Sequence, residues 1–382
     1  MPDPQPPSQA AAQSPAGVVI ESGRCIALFA YDIGLAVDLD EAERRLAALI
    51  QRERIRHRRR TPRHITHQPA PLRITRPCEP LQLAGHTLSP SMDLVVYDFG
   101  AVSVSYSIPL EGDAARLLTL SEALHENEQL LAHSRAAVEE LLENLRPAIS
   151  RPGLSELVED YTIYFLDRLG AGVSPAAFID NHAPLIAGVL CSELATLSEQ
   201  EIRESISCRA SYTPDDIVVI DWNAALVIDP DGEDVRAVLE HANVELLEMR
   251  WIDEQLDKAL DESYIRLSRR IESPSVFRSA GDSDMRRIAL LQTDSAILFE
   301  GVNNALKLVG DQYLARVYRL AAQRLHLPDW DTSILRKLEV LESLFGKLND
   351  FQTSRRLEIL EWIIIILIAV SIVLPFIPGV SY

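Results

Sequence analysis

Residues 25–39 read CIALFAYDIGLAVDL. An unbroken apolar run ends at Asp32, Gly34 follows two positions later, and the chain then turns apolar again. That order predicts a strand, a tight bend and a second extended piece. The phrase recurs twice, as DLVVYDFGAVSVSYSI over 93–108 and IVVIDWNAALVID over 217–229. Each copy carries an apolar stretch, an aspartate (Asp32, Asp98, Asp221), a bulky residue, a Gly or Asn, and a further mostly apolar run. Asp with Gly or Asn is the chemistry of bends between paired strands. The three phrases are therefore expected to be ribs of one sheet in an α+β domain. A competing reading gathers Asp32, Asp98 and Asp221 around a substrate or metal as an Asp-dependent hydrolase. No His or Glu accompanies them at ligand spacing, so no metal site is assigned.

Outward from the first rib, Asp40 is placed to cap a helix in which Ala42, Leu46 and Ile50 lie four apart on one face. Next comes the one strongly basic block, residues 51–76, QRERIRHRRRTPRHITHQPAPLRITR. Its nine arginines face a single acid, Glu53, so it carries +8 and leaves −27 on the rest of a chain whose net charge is −19. A surface so acidic excludes general nucleic-acid coating, while arginine without lysine suits bidentate contact with phosphate. Arg52, Arg54, Arg56, Arg58, Arg59, Arg60 and Arg63 are the candidate residues for binding RNA or anionic lipid. The block lacks the aromatics that single-strand binders use for stacking.

Residues 111–145 follow a helical pattern, and 147–153 interrupt it. The aromatic-rich DYTIYFLDRLG precedes a helix that Pro184 is placed to kink or break. Ser198 and Glu201 form a capping box for another. The acidic run DPDGED over 229–234 fails as a calcium loop, because Val227 and Val238 occupy ligand positions; it reads as a turn before a helix. From 233 to 357 the pattern is helical almost throughout. In its last part Ile334, Leu338, Leu341, Phe345 and Leu348 alternate at the spacing of a coiled-coil seam.

The chain closes on WIIIILIAVSIVLPFIPGV, residues 362–380, with no charge and thirteen Ile, Leu, Val or Phe. Nineteen positions span about 28 Å as a helix, near a bilayer's hydrocarbon thickness. Arg355 and Arg356 precede the run, and only Ser381 and Tyr382 follow it. This predicts a single-pass anchor with Trp362, Ile363, Ile366, Val370 and Val373 in the membrane and the bulk of the chain in the cytoplasm. Residues 1–22 lack the basic and apolar regions of a signal peptide and the arginines of a mitochondrial presequence, so they read as a disordered tail. The four scattered cysteines show no CxxC spacing and fit a reducing compartment. No nucleophile elbow, phosphate loop, dinucleotide turn or HExxH is present, and no cofactor is assigned.

The sequence thus divides into a tail (1–23), an α+β domain (24–232), a helical segment (233–357) and an anchor (358–380). The closing RRLEILEWIIIILIAVSIV, with Leu360, Glu361, Trp362 and Ile363, resembles the C-terminal signature of the YagE / "required for meiotic nuclear division" family of membrane proteins. Tyr31-Asp32-Ile33-Gly34 and Asp221-Trp222-Asn223-Ala224-Ala225 look similar to family phrases, as do the arginine block and its Pro-rich exit. The resemblance implies one α+β domain, following helices and a single C-terminal span. It also implies self-association and, from mitochondrial relatives, support of translation by tethering ribosomes at the inner membrane. It implies no catalytic residues. The expectation is a non-enzymatic, homo-oligomeric scaffold at the bacterial inner membrane, with RNA or the ribosome as partner and anionic lipid as the alternative.

Overall fold

A computed structural model of the chain describes residues 18–50, 69–170, 172–272, 290, 293, 296 and 312–373. The strands are β1 (Val19–Asp32), β2 (Ala36–Val37), β3 (Leu72–Pro77), β4 (Gln82–Leu83), β5 (His86–Thr87), β6 (Ser91–Val96), β7 (Ala101–Asp113), β8 (Ile149–Ser150), β9 (Val158–Leu169), β10 (Arg209–Ala210), β11 (Ile217–Ile220) and β12 (Ala224–Ile228). The helices are α1 (Leu39–Ile50), α2 (Arg116–Leu124), α3 (Glu128–Leu145), α4 (Pro175–Asn181), α5 (Ala183–Cys191), α6 (Glu199–Ser205), α7 (Glu233–Glu272), α8 (Gln312–Arg324) and α9 (Leu327–Val373). The result is a mixed α+β fold with one large sheet and C-terminal helices, as the rib pattern requires.

Eight strands form the sheet in the order β10-β11-β12-β9-β1-β7-β6-β3. All neighbours are antiparallel except β12 on β9. The second and third ribs are hairpins within it, β6–β7 and β11–β12. The first rib departs from that pattern. Its second piece, β2, leaves the sheet and pairs with β8, because the chain crosses itself at the bend. A Cβ on Gly100 would lie 1.7 Å from the carbonyl oxygen of Gly34, and Gly100 holds a φ of +101°. Two glycines are what allow Ile33 to donate its amide to the Gly100 carbonyl at 2.9 Å.

β1 is buried on both faces, which its unbroken apolar run reflects. Cys25, Ala27, Phe29 and Tyr31 point into the core that α1–α5 close with Leu46, Leu120, Val138, Phe178 and Leu190. Ile26, Leu28, Ala30 and Asp32 point to the opposite face, where α7 lies: Arg236 donates to Ser105 at 3.0 Å, and Asn243 to the Glu159 carbonyl at 3.3 Å. Several boundaries move. Val19–Ser22 belong to β1, not to a tail. Asp38, not Asp40, caps α1, accepting the Glu41 amide at 3.0 Å. Residues 111–113 complete β7, so the helical pattern begins at α2. The Pro184 break falls between α4 and α5, and Ser198 caps α6 as expected.

The chain divides into two units, residues 1–248 with 300–328 and residues 249–299 with 329–382. Within the second, α7 and α9 pack side by side. Lys337 bridges Asp253 and Asp257 at 2.7 and 2.6 Å, and the seam residues Ile334 and Leu341 are buried with Ile252 and Leu256. The transmembrane expectation is corrected here: among the described residues no helix is long and apolar enough to cross a membrane. Among the described residues, α9 carries the apolar run from Trp362 to Val373. The rest of the expected span, 374–380, lies outside the described residues, as does the tail over 1–17.

Candidate functional site

The arginines assigned to an anionic partner, Arg52, Arg54, Arg56, Arg58, Arg59, Arg60 and Arg63, lie outside the described residues. The last two of the block do not, and the fold uses them. Arg73 on β3 meets Asp93 at 3.3 Å and Glu240 at 3.6 Å, and Arg76 meets Glu140 of α3 at 3.2 Å. These two arginines of the block are therefore engaged within the fold. Of the anchor residues, Ile363 and Ile366 are exposed together with Ile364, Ile365, Leu367 and Ile368, each 48–62% open. Trp362, Val370 and Val373 stand on α9, but their side chains lie outside the described ones.

The three rib aspartates have separate surroundings. Asp32 accepts the Gly34 amide and lies under α7; burial raises its carboxyl to about 7. Asp98 accepts its own amide and that of Phe99, and burial raises it too. Asp221, at the β11–β12 bend, accepts the Trp222 amide at 2.8 Å and two N–H groups of Arg324 on α8. Each accepts hydrogen bonds within its own bend. Among the described residues no group of three or more His, Cys, Asp or Glu is placed to hold a metal ion.

What the structure does gather is a polar layer between the sheet and the first four turns of α7. Arg236, Glu240, His241, Asn243, Glu245 and Glu248 are all buried. Glu240 stands between Arg73 and Arg236, the latter at 4.0 Å. Burial opposes the charge on Arg73, but Glu240 and Asp93 outweigh it and hold the guanidinium charged. The His241 ring packs against Tyr97 and Phe99 at 6.2 and 6.4 Å. Tyr318 of α8 donates to Glu245 at 2.7 Å. Deepest is Glu248, fully buried, its carboxyl raised well above the ordinary range by burial and then by Asp32.

The sequence reading missed this layer. It took residues 233–271 as one amphipathic helix, and Arg236–Glu240 at i,i+4 looks like an ordinary solvated pair. The available signal was the width of the apolar surface: Val235, Val238, Leu239, Ala242, Val244, Leu246 and Leu247 cannot share one stripe of a helix.

A second polar corner surrounds Asp221. Tyr161 donates to its backbone carbonyl at 3.0 Å, the Cys191 thiol to its Oδ2 at 3.7 Å, and Cys191 also meets Ser205 Oγ at 3.2 Å. All four cysteines are free. Burial raises the thiols of Cys191 and Cys208, which makes them poor nucleophiles. The arrangement fixes the hairpin to α8 and offers no acid–base or nucleophilic constellation.

Comparison with known proteins places this geometry. The profile of the family described as "Uncharacterized protein MJ0711, N-terminal domain" matches residues 22–234, just over half of the chain. The uncharacterized protein MJ0711 of Methanocaldococcus jannaschii is 21% identical over 239 residues, 62% of this chain and 71% of that protein. No solved structure matches. The resemblance to the YagE / "required for meiotic nuclear division" family is overturned by this match. It rested on short phrases at the ribs and an isoleucine-rich end, which bend chemistry and apolar composition produce without common descent. The matched span covers the sheet except for the first three residues of β1 and stops at Asp234, in the first turn of α7.

Proposed function

The chain belongs to the MJ0711 N-terminal-domain family, and on that premise we propose that it is a non-enzymatic, membrane-attached scaffold. The apolar end of α9 seats in the cytoplasmic face of an inner membrane. The arginines from Arg52 to Arg63 engage an anionic partner, RNA or the ribosome. The observation that carries the reading is the state of residues 363–368: six consecutive large aliphatic side chains, all about half exposed, on every side of one helix. A helix in water buries such residues on at least one face, and apolar surface of this kind marks a membrane or protein contact. On an insertion scale those six favour the bilayer by roughly 2–4 kcal/mol, and the apolar sequence continues through Val380.

The experiment is fractionation of the full chain, comparing wild type with Ile365→Asp/Ile366→Asp. Wild type is expected to sediment with membranes and resist an alkaline wash, while the double variant moves to the soluble fraction. A wild type that stays soluble as an oligomer would replace the membrane with a second copy of the chain as the cover for this end. For the partner, Arg58→Glu/Arg59→Glu/Arg60→Glu is expected to abolish RNA association that in wild type falls steeply with salt. Salt-independent binding that survives the triple change removes the arginine reading.

A further inference from the structure

Residues 312–328, α8 and its exit, carry Arg316, Arg319 and Arg324 and no acid, in a chain whose net charge is −19. The helix packs on β10 and β11 and buries Leu314, Val317 and Ala321. Gln312, Arg316, Arg319 and Gln323, spaced by three and four, are its exposed face. The ion pairs of the helix are those of Arg324, with Asp221 and, at 4.0 Å, with Glu204; among the described residues Arg316 and Arg319 meet no acid. Arg319 turns only its Nε inward, to the Ala315 carbonyl at 3.3 Å.

Aromatic rings stand at both ends of this face. Tyr212, just beyond β10, is 74% exposed; its ring lies 5.7 Å from that of Tyr313, and the Arg316 guanidinium stands 6.0 Å from the Tyr313 ring. The backbone there is held in place, because Asp216 accepts the Tyr212 and Thr213 amides at 2.7 and 2.8 Å. At the other end Trp222, on the β11–β12 bend, is 46% exposed, its ring 5.7 Å from that of His326. Exposed rings beside unpaired arginines are what a single nucleic-acid strand needs: π-faces for its bases and planar donors for its phosphates. From Tyr313 to Gln323 the helix rises about 15 Å, the length of about four stacked nucleotides at roughly 3.4 Å per step. A helix made for a lipid surface exposes aliphatic side chains, and here every exposed position is polar.

We infer that the exposed face of α8, with Tyr212 and Trp222 at its two ends, binds a short single strand of RNA, bases on the rings and phosphates on Arg316 and Arg319. The inference rests on the proposed reading of RNA as the partner, and it supplies the stacking rings that residues 51–76 lack. It also gives the interaction a selectivity that charge alone does not have. Unpaired bases can stack on the rings, whereas those of a duplex are already stacked on one another.

The test is an anisotropy titration of the full chain in detergent with a labelled oligouridine of about 12 nucleotides, and with an RNA duplex of equal charge. Tyr212→Ala/Trp222→Ala is expected to weaken the single strand about tenfold or more and to leave the duplex within about twofold. Tyr212→Phe/Trp222→Phe keeps the π-faces and should bind as wild type does. Arg316→Gln/Arg319→Gln should flatten the salt slope of single-strand binding by about 1.4, two phosphate contacts' worth. Unchanged single-strand affinity in the alanine variant overturns the inference, as does an equal loss on the duplex. So does an arginine variant that loses phosphatidylglycerol vesicles and keeps the oligouridine, which would give the face to lipid headgroups. Arg58→Glu/Arg59→Glu/Arg60→Glu separates this face from the arginine block. Binding that survives there and falls with Tyr212→Ala/Trp222→Ala keeps the face and removes the block; binding lost there and unmoved by the face variants does the reverse. A wild type that binds neither RNA overturns both.

Discussion

At the scale of single residues, the structure turns repeated sequence phrases into unlike tasks. Asp32, Asp98 and Asp221 occupy equivalent places in their phrases, and the bends they predict are all present. Their partners were not legible. Asp221 is answered by Arg324, 103 positions later, and no local pattern encodes a pairing at that separation. Removing Arg324 would leave a buried carboxylate with only the Trp222 amide and a thiol. Arg324→Met is therefore expected to cost about 2–3 kcal/mol, less than the roughly 3–5 kcal/mol of a fully buried broken pair, because the arginine is partly exposed. Urea denaturation reads the loss, and Asp221→Asn/Arg324→Met should recover part of it. Gly100 sets a stricter test. Gly100→Ala would drive a methyl into the Gly34 carbonyl at an unfavourable φ, with an expected loss of roughly 2–4 kcal/mol. Gly85, with open space around it, should tolerate alanine at the smaller cost of its positive φ.

At the scale of elements, strands were read better than helices for a physical reason. A strand's apolar run and its bend are local, whereas the side of a helix that is buried depends on what covers it. β6–β7 and β11–β12 follow directly from their phrases. α7 has the composition of a surface helix, yet its first turns are enclosed because the sheet face, α8 and Arg73 supply partners for its charges. The element's stability should then respond to polar changes more than its sequence suggests. Arg236→Met removes the donor to Ser105 and one of the two cations at Glu240, with an expected cost of about 2–3 kcal/mol. Tyr318→Phe removes a hydrogen bond to Glu245 of the same helix, at about 1–2 kcal/mol. Equal losses from a truly solvated helix would be within about 0.5 kcal/mol, so thermal melts of the two variants separate the enclosed helix from a surface one.

At the scale of the whole molecule, charge and apolarity are segregated along the chain, and that segregation was fully legible. Composition places +8 in residues 51–76 against −27 elsewhere, and the apolar end after Glu361. The fold narrows the basic block by drawing Arg73 and Arg76 into pairs with Asp93, Glu240 and Glu140. The other seven arginines lie outside the described residues, and the partner proposed for them decides how the two ends of the molecule would add. If the arginines bind RNA, Arg58→Glu/Arg59→Glu/Arg60→Glu should leave binding to anionic vesicles within about twofold, since the apolar end alone would hold the bilayer under the proposed function. If they bind anionic lipid, both ends grip one surface, and each linked contact multiplies the other by about 10²–10⁴. Charge reversal should then cost vesicle affinity on that scale, and roughly 150 mM salt should reproduce much of the loss in wild type. A vesicle titration of the two chains, at low and physiological salt, reads the difference. The expected outcome is the first, because arginine without lysine favours bidentate phosphate contact along a nucleic-acid backbone over the diffuse attraction of a charged surface.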